Sequence, residues 1–203
     1  MKFKNLEMTG FKSFNEKTTV LIEKGLTGIV GPNGCGKSNI VEALRWCMGE
    51  NSAKSLRGSG MEDVIFSGTS NRPSKNISEV ALLLDNKEKS GPAQYKEFAE
   101  ISVKRKIEKD KGSKYYINDR EVRARDVQTF FADLSTGAHS PSLISQGRIG
   151  QLVIAKPIER KSILEEAAGI SGIHARRQEA ETRLNAAENN LKRADELKKQ
   201  QQK

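Results

Sequence analysis

The residues with the strongest chemical signature lie between positions 31 and 38, in the segment GPNGCGKS. The spacing G-x-x-x-x-G-K-[ST], which defines the phosphate-binding P-loop or Walker A motif, is matched by Gly31, Gly36, Lys37 and Ser38. Glycines here let backbone N–H groups point at phosphate oxygens, and the following helix adds the positive end of its dipole. We expect Lys37 to neutralise the β- and γ-phosphates of ATP and the Ser38 hydroxyl to ligate Mg²⁺. Cys35 occupies a free position of the motif.

Efficient ATP hydrolysis needs a second motif, an apolar strand that ends in Asp or Asp-Glu and holds the metal and the attacking water. ALLLD, residues 81–85, has this shape, but a lysine-rich loop without a following glutamate comes next. We therefore interpret Asp85 as a turn residue at the end of a strand rather than as a Walker B acid. An L-S-G-G signature is also missing from the sequence. The sequence predicts nucleotide binding and half of a catalytic site.

The segments around the P-loop follow the order strand, loop, helix. LTGIV, residues 26–30, is a short apolar run directly before the loop and predicts a buried strand. Apolar residues at helical spacing after Ser38 predict a helix that ends near Gly49. Further strands are predicted at 2–8, 17–22 and 77–85, with a hairpin whose strands flank 110–112. Residues 61–66 predict a short helix or turn, and longer helices are predicted at 123–134, 147–156 and 157–169. Residues 87–98 are interpreted as a weakly anchored, variable loop.

Composition limits the class of protein. The net charge of +9 is compatible with an acidic partner such as nucleic acid. Two cysteines, Cys35 and Cys47, lie within one loop–helix segment without metal-ligand spacing, which favours reduced thiols in the cytoplasm. No run of 18 apolar residues and no signal peptide occur in the sequence, so we expect no membrane association.

The C-terminal region predicts a long helix, because neither Pro nor Gly occurs after Gly172. Its apolar positions follow alternating three- and four-residue steps, a heptad pattern of about three repeats. The pattern runs through Ile173, Arg177, Ala180, Leu184, Ala187, Leu191 and Ala194. A helix this polar buries little by itself and favours a coiled-coil partner. The alternative, a single solvated amphipathic helix, remains open on these residues alone.

Six segments carry a resemblance that is more specific than the P-loop. They are GFKSF (10–14), GPNGCGKSNIVEALRWCMGE (31–50), SAKSLRGSGMEDVIFSG (52–68), YYINDREVRARDV (115–127), LISQGRIGQLV (143–153) and ERKSILEEAAGI (159–170). In this order they closely resemble the N-terminal half of the head of bacterial structural-maintenance-of-chromosomes (SMC) proteins. The resemblance implies an α/β P-loop NTPase fold, with residues 1–168 as the N-terminal lobe of an ABC-type ATPase head. Residues 169–203 would begin an antiparallel coiled-coil arm.

The resemblance also assigns roles to residues. Gln146 would be the Q-loop glutamine that contacts Mg²⁺ and the attacking water, so Ser38 and Gln146 would be the metal ligands. Arg57 would reach ATP when two heads engage, where its planar fork can hold phosphate oxygens. Lys37, Gln146 and Arg57 would thus be the catalytic group, and Lys12 and Ser13 would approach the phosphates or ribose. The segment that wraps the triphosphate would be Pro32, Asn33, Gly34, Cys35, Gly36, Lys37, Ser38 and Asn39.

In SMC proteins the C-terminal lobe supplies the signature motif and Walker B, which would explain the missing acid. The chain therefore looks like a fragment that is inactive alone and is an ATPase within a full-length homodimer. The implied partners are the C-terminal lobe, a second head, a kleisin subunit on the coil at 173–191 and double-stranded DNA bound without sequence preference. The candidates for DNA contacts are Lys54, Lys104, Arg105, Lys106, Arg120, Arg123 and Arg125. The implied function is ATP-dependent chromosome condensation and segregation in the cytoplasm, at the nucleoid.

Three other classes of protein share some of these features. An SMC-like DNA-repair ATPase, of the RecN type or of the type with a Cys-x-x-Cys hook at its coil tip, shares the split head and stays open as the alternative. A transporter ATPase is disfavoured because Gln146 follows the P-loop at too great a distance and a coil comes next. A purely structural coiled-coil protein is disfavoured by the intact P-loop.

Overall fold

The computed structural model describes residues 1–134, 136–137, 140, 143–145, 148–168 and 170–201. A six-stranded sheet with the order β2-β1-β3-β4-β5-β6 forms the centre of the fold, and each neighbouring pair is antiparallel. Its strands are β1 Lys2–Thr9, β2 Thr18–Leu21, β3 Ile77–Asp85, β4 Glu100–Glu108, β5 Gly112–Ile117 and β6 Arg120–Val122. The strands predicted at 2–8, 17–22 and 77–85 and the hairpin around 110–112 are confirmed.

One face of the sheet is buried because side chains alternate between its two faces along each strand. In β3, Val80, Leu82 and Leu84 point inward, and the neighbouring β4 presents Ile101 and Val103 to the same face. The helices α1 Lys37–Cys47 and α2 Ala124–Asp133 cover this inner face. The core is filled by their large side chains, Trp46, Phe130 and Phe131.

The C-terminal part of the chain is helical, as predicted. It consists of α3 Arg148–Ile154, α4 Pro157–Ala167 and α5 Ser171–Gln201, and α5 packs against α2 and α4. Ile173, Leu184 and Leu191 of the heptad pattern are 61–66% exposed, so the apolar seam of α5 is open to solvent. Among the described residues, none of the helices combines the length and apolar character that a membrane span needs. Shorter helical turns lie at Lys54–Leu56, Met61–Val64 and Ala93–Tyr95, the second of which confirms the prediction for 61–66.

The strand predicted at residues 26–30 is wrong. These residues form no strand, and Leu26 and Val30 are 93% and 92% exposed. An apolar run indicates that a segment can be buried, but a strand also needs a free edge for its backbone groups. The free edges of the sheet are the outer edges of β2 and β6, and residues 26–30 pair with neither. The apolar segment that leads into the P-loop therefore lies open in this chain.

Residues 87–98 form a loop, as predicted, but the expectation of weak anchoring is wrong, because Asn86 organises this loop. Asn86 is 1% exposed, and its Nδ2 donates hydrogen bonds to the carbonyl oxygens of Tyr95 (3.1 Å) and Phe98 (2.8 Å). Its Oδ1 accepts a hydrogen bond from the Gly91 N–H at 2.9 Å. The Tyr95 ring packs edge-on against Phe130 of α2, with 5.4 Å between ring centroids. One buried amide thus closes the loop onto the core.

Candidate nucleotide-binding site

A tight turn after β1 brings residues 11–14 beside the P-loop helix. Gly10 has φ +63°, and a Cβ at this position would lie 2.4 Å from the Ile77 carbonyl oxygen, so only glycine fits. The next residue, Phe11, is fully buried and contacts the Trp46 ring of α1 at a centroid distance of 5.5 Å. The Lys12 N–H then donates to the Val64 carbonyl oxygen at 2.7 Å. The turn is therefore fixed both to the sheet and to α1.

The P-loop has the backbone form that its motif predicts. Gly34 and Gly36 have φ of +80° and +94°, and Gly36 is the residue from which α1 begins. The first N–H groups of a helix have no intrahelical acceptor and can therefore donate to an anion. Lys37 lies back over the loop, where its Nζ donates to the carbonyl oxygens of Gly31, at 2.7 Å, and Pro32. The ammonium group is held at the loop by weak neutral acceptors that a phosphate can replace.

Ser13 and Asn39 join the turn to the loop. Asn39 Nδ2 donates a 2.9 Å hydrogen bond to Ser13 Oγ. A Cβ on Gly36 would lie 2.9 Å from the same Ser13 Oγ, so the hydroxyl packs directly against the loop backbone. Arg57 approaches from the other side, where its Nη2 donates to Asn39 Oδ1 at 2.9 Å. The structure thus gathers Ser13, Asn39 and Arg57, which the resemblance assigned to the nucleotide site.

Glu42 is a residue of this site that the sequence analysis missed. It lies on α1 one turn after Ser38 and is only 6% exposed. Its two carboxylate oxygens accept hydrogen bonds from Lys12 Nζ and from Arg57 Nε. The same Lys12 ammonium donates to the Leu56 carbonyl oxygen and is therefore directed inward. A signal existed in the sequence, because Glu42 is a lone acid between apolar residues of a predicted amphipathic helix.

The structure places Asp85 far from this site and supports its interpretation as a turn residue. Asp85 pairs with Lys2, whereas the turn beside the P-loop follows Thr9 at the other end of β1. At a rise of about 3.3 Å per residue, these two ends of β1 lie about 23 Å apart. Asp85 Oδ1 accepts a hydrogen bond from the Lys87 N–H at 2.9 Å, and this bond lowers the pKa of the carboxyl group. Asp85 cannot act on a phosphate at Lys37.

The residues at the loop fit a nucleoside triphosphate with Mg²⁺. The exposed stretch 31–35 leaves room for the phosphates, and Lys37 and Arg57 supply positive charge. The described residues contain no cluster of three or more His, Cys, Asp or Glu side chains suited to a metal ion. A single hydroxyl, such as that of Ser38, suffices for Mg²⁺, because this ion keeps several waters and takes other ligands from the phosphates. Gln146, the second predicted metal ligand, lies outside the described residues.

One of the candidate DNA contacts is wrong. Arg105 points to the inner face of the sheet, is 2% exposed and donates from Nη1 to the carbonyl oxygens of Trp46 (2.9 Å) and Glu50 (2.6 Å). Its guanidinium carbon lies 4.6 Å from the centroids of both the Trp46 and Tyr115 rings. The alternation of side chains along β4 buries Arg105 while Lys104 and Lys106 lie on the outer face. Exposed basic candidates remain at Lys54, Arg120, Arg123 and Arg125.

An antiparallel sheet packed on a helix that starts at a P-loop defines this chain as part of a P-loop ATPase head. The chain belongs to the family described as the RecF/RecN/SMC N terminal domain, whose model matches residues 2–148. It is 56% identical over 197 residues to the chromosome partition protein Smc of Rhodopseudomonas palustris. That match covers 97% of this chain and only 17% of the relative, in the N-terminal part of the relative.

Solved structures agree with this assignment. The Smc head domain of Pyrococcus furiosus, which carries an extended coiled coil and is bound to the C-terminal domain of ScpA, matches with a TM-score of 0.75 at 32% identity. The match covers 97% of this chain and 49% of that chain. A structure from work on ATP-driven dimerization and DNA-stimulated activation of SMC ATPases matches with a TM-score of 0.69 at 30% identity, covering 82% of this chain and 99% of that one. The expected SMC family and head fold are therefore confirmed.

Proposed function

We propose that this chain is the ATP-binding N-terminal lobe of an SMC head that uses ATP-dependent head engagement and hydrolysis to organise, condense and segregate chromosomal DNA. The observation that carries the proposal is the intact P-loop with Ser13, Asn39 and Arg57 gathered against it. The predicted division of the chain, with the lobe at 1–168 and the coiled-coil arm at 169–203, is part of the proposal.

The geometry of the loop supports the proposed way of binding the triphosphate. Residues 32–39 would surround the triphosphate, with the N–H groups of the loop and of the first turn of α1 as donors. Lys37 would exchange the carbonyl oxygens of Gly31 and Pro32 for phosphate oxygens, which are stronger acceptors for an ammonium group. Bound Mg²⁺ would supply charge neutralisation, with Ser38 and Gln146 as its protein ligands.

The catalytic site would be completed by a second lobe. Asp85 is remote from Lys37, so we propose that the acid that activates water belongs to the C-terminal lobe, and that the chain alone hydrolyses ATP slowly. The open apolar run at 26–30 supports a second lobe, because it leads directly into the P-loop and none of the described residues covers Leu26 or Val30. The chain also spans only 17% of the relative from R. palustris.

The proposed partners of this chain are those named for related SMC heads. We propose a second SMC head as the dimer partner and an ScpA-like kleisin subunit, since related heads are described with ATP-driven dimerization and with bound ScpA. The open seam of α5 between 173 and 191 is the proposed kleisin contact. Double-stranded DNA would bind through phosphate contacts from exposed basic residues, at the nucleoid in the cytoplasm. Such contacts are independent of base sequence and weaken steeply with salt.

An SMC-like repair ATPase of the RecN type is the second candidate, because the matching family model includes RecN proteins. The 56% identity to a chromosome partition protein favours the first candidate. Affinity for two DNA substrates separates the two candidates. A repair ATPase should bind duplex with ends or gaps more tightly than closed duplex, whereas a chromosome-organising head should bind both equally well.

ATP binding and hydrolysis test the proposal. The chain should bind Mg-ATP, Lys37→Ile should abolish the binding, and Lys24→Ile, which removes an exposed lysine that precedes the loop in the sequence, should leave the Kd unchanged. Hydrolysis should be negligible for the chain alone and should appear when the C-terminal half-head of the R. palustris relative is added. Unchanged ATP affinity in Lys37→Ile would refute the P-loop assignment. Fast hydrolysis by the chain alone would refute the divided site.

A further inference from the structure

A closed ring of polar contacts joins three chain segments beside the P-loop. Glu42 accepts from Lys12 and Arg57, Arg57 donates to Asn39, and Asn39 donates to Ser13, which is the neighbour of Lys12 in the chain. The ring connects the turn after β1, the first turns of α1 and the loop at 52–58. Glu42 is its buried member, whereas the Arg57 side chain is 58% exposed. The carboxylate therefore forms the fixed end of the ring.

The backbone at the two cations is unusual. Lys12 and Arg57 have φ of +47° and +54°, a left-handed conformation that non-glycine residues rarely adopt. Such conformations persist only where the surrounding structure holds them, and they concentrate at functional sites. Glu42 supplies such a restraint to both residues, because each of its oxygens is bound to one of the two cations.

We propose that Glu42 is a positioning residue for the nucleotide site, and that it directs the free edge of the Arg57 guanidinium to the phosphates. Arg57 uses Nε on Glu42 and Nη2 on Asn39, so its plane is fixed by two contacts on α1. Nη1 makes no hydrogen bond with the described residues, and the Arg57 side chain is 58% exposed, so this end of the fork is available to an anion. A guanidinium held in this way loses little conformational freedom when it binds an anion. This inference rests on the proposed function, because it assumes that phosphates bind at 31–38.

Two substitutions of Glu42 separate its charge from its shape. Glu42→Gln keeps the shape, but the amide has only one acceptor oxygen and brings a donor group to two neighbours that are themselves donors. Glu42→Asp keeps the charge and both acceptor oxygens on a shorter side chain that the long Lys12 and Arg57 side chains can follow. A positioning role predicts that Glu42→Gln raises the Kd for Mg-ATP about tenfold or more, whereas Glu42→Asp stays within about threefold of wild type.

The coupling to Arg57 is tested by a double-mutant cycle in the Kd for Mg-ATP, measured on the whole chain together with the C-terminal half-head of the R. palustris relative, because Arg57 is expected to reach ATP when heads engage. The double variant Glu42→Gln, Arg57→Ala should bind no more weakly than Arg57→Ala alone, because Glu42 acts through Arg57. Arg57→Lys should lose about as much affinity as Arg57→Ala, because a lysine cannot bridge Glu42 and Asn39. The control Glu23→Gln makes the same change of charge at an exposed acid outside the ring of polar contacts and should leave the Kd within about twofold.

Several outcomes would overturn the inference. Additive effects of Glu42→Gln and Arg57→Ala would show that Glu42 does not act through Arg57. Tighter ATP binding by Glu42→Gln would show that its charge repels phosphate instead of placing a cation. If Glu42→Gln fails to fold, wild-type affinity in Arg57→Lys would still refute the positioning role. If wild type and Lys37→Ile bind ATP equally, the proposed function fails as well, and with it the basis of this inference.

Discussion

Replacing Arg105 by Met should destabilise the fold strongly, because Arg105 is a buried cation and not a surface contact for DNA. The substitution removes the two hydrogen bonds that the charged guanidinium donates to the carbonyl oxygens of Trp46 and Glu50, at about 1.5–3 kcal/mol for each hydrogen bond to a charged group, and the Trp46 oxygen keeps the bond from the Gly49 N–H. The stacking on the Trp46 and Tyr115 rings is replaced by ordinary contacts of a flexible side chain. Part of the loss is offset, since burial opposes the charged form of Arg105 and lowers its pKa.

The net expectation is a loss of about 3 kcal/mol in the free energy of unfolding. Urea denaturation followed by fluorescence of the single tryptophan, Trp46, measures this loss directly at the affected contact. With an m-value of about 2 kcal/mol/M, the midpoint should fall by roughly 1.5 M. The control is Lys106→Met on the outer face of the same strand, which should stay within about 0.5 kcal/mol of wild type. A stable Arg105→Met variant with weakened DNA binding would refute the reasoning.

Three further predictions concern titratable groups. Cys35 is exposed and Cys47 is buried, so native protein at neutral pH should react with a thiol reagent at one site, and denatured protein at two. Burial raises the pKa of Cys47 from 9.0 to about 12, so the unfolded state releases this proton first, and stability should fall as pH rises from about 9 towards 12. Cys47→Ala should reduce that fall, and an unchanged alkaline slope would contradict the assignment. The hydrogen bond from the Gly60 N–H and, as smaller causes, the hydrogen bonds from Ser59 lower the pKa of the Asp63 carboxyl group below 3.8. The stabilising contribution of ionised Asp63 is therefore present above that pH and is lost as the pH falls below it. The stability difference between wild type and Asp63→Asn should therefore shrink in acid unfolding curves below about pH 4, and a constant difference would argue against these hydrogen bonds.

Local sequence pattern was sufficient for most elements of the fold. The two-residue alternation of ISEVALLLD and the helical spacing after Ser38 involve only residues within a few positions of each other in the chain. The strand β3 and the helix α1 lie where these patterns predict them. The P-loop is local in the same sense, because its glycines and its lysine act within one short segment. The resemblance to SMC heads extended the site to Ser13 and Arg57, which lie far from the loop in the chain but beside it in space.

Apart from the strand expected at 26–30 and the short strand β6, the sequence by itself determined the strands, the helices and the phosphate-binding loop, because each depends on residues close together in the chain. Tertiary structure alone decided which charges are buried. Arg105 and Lys106 are adjacent basic residues, and only the packing of α1 on one face of the sheet places Arg105 between two aromatic rings. Glu42 gains its role from Lys12 and Arg57, and residues 26–30 remain open because they pair with neither free edge of the sheet, β2 or β6. The partner of a charged side chain and the pairing of a strand edge are set by contacts between segments that are far apart in the chain, so patterns among neighbouring residues do not predict them.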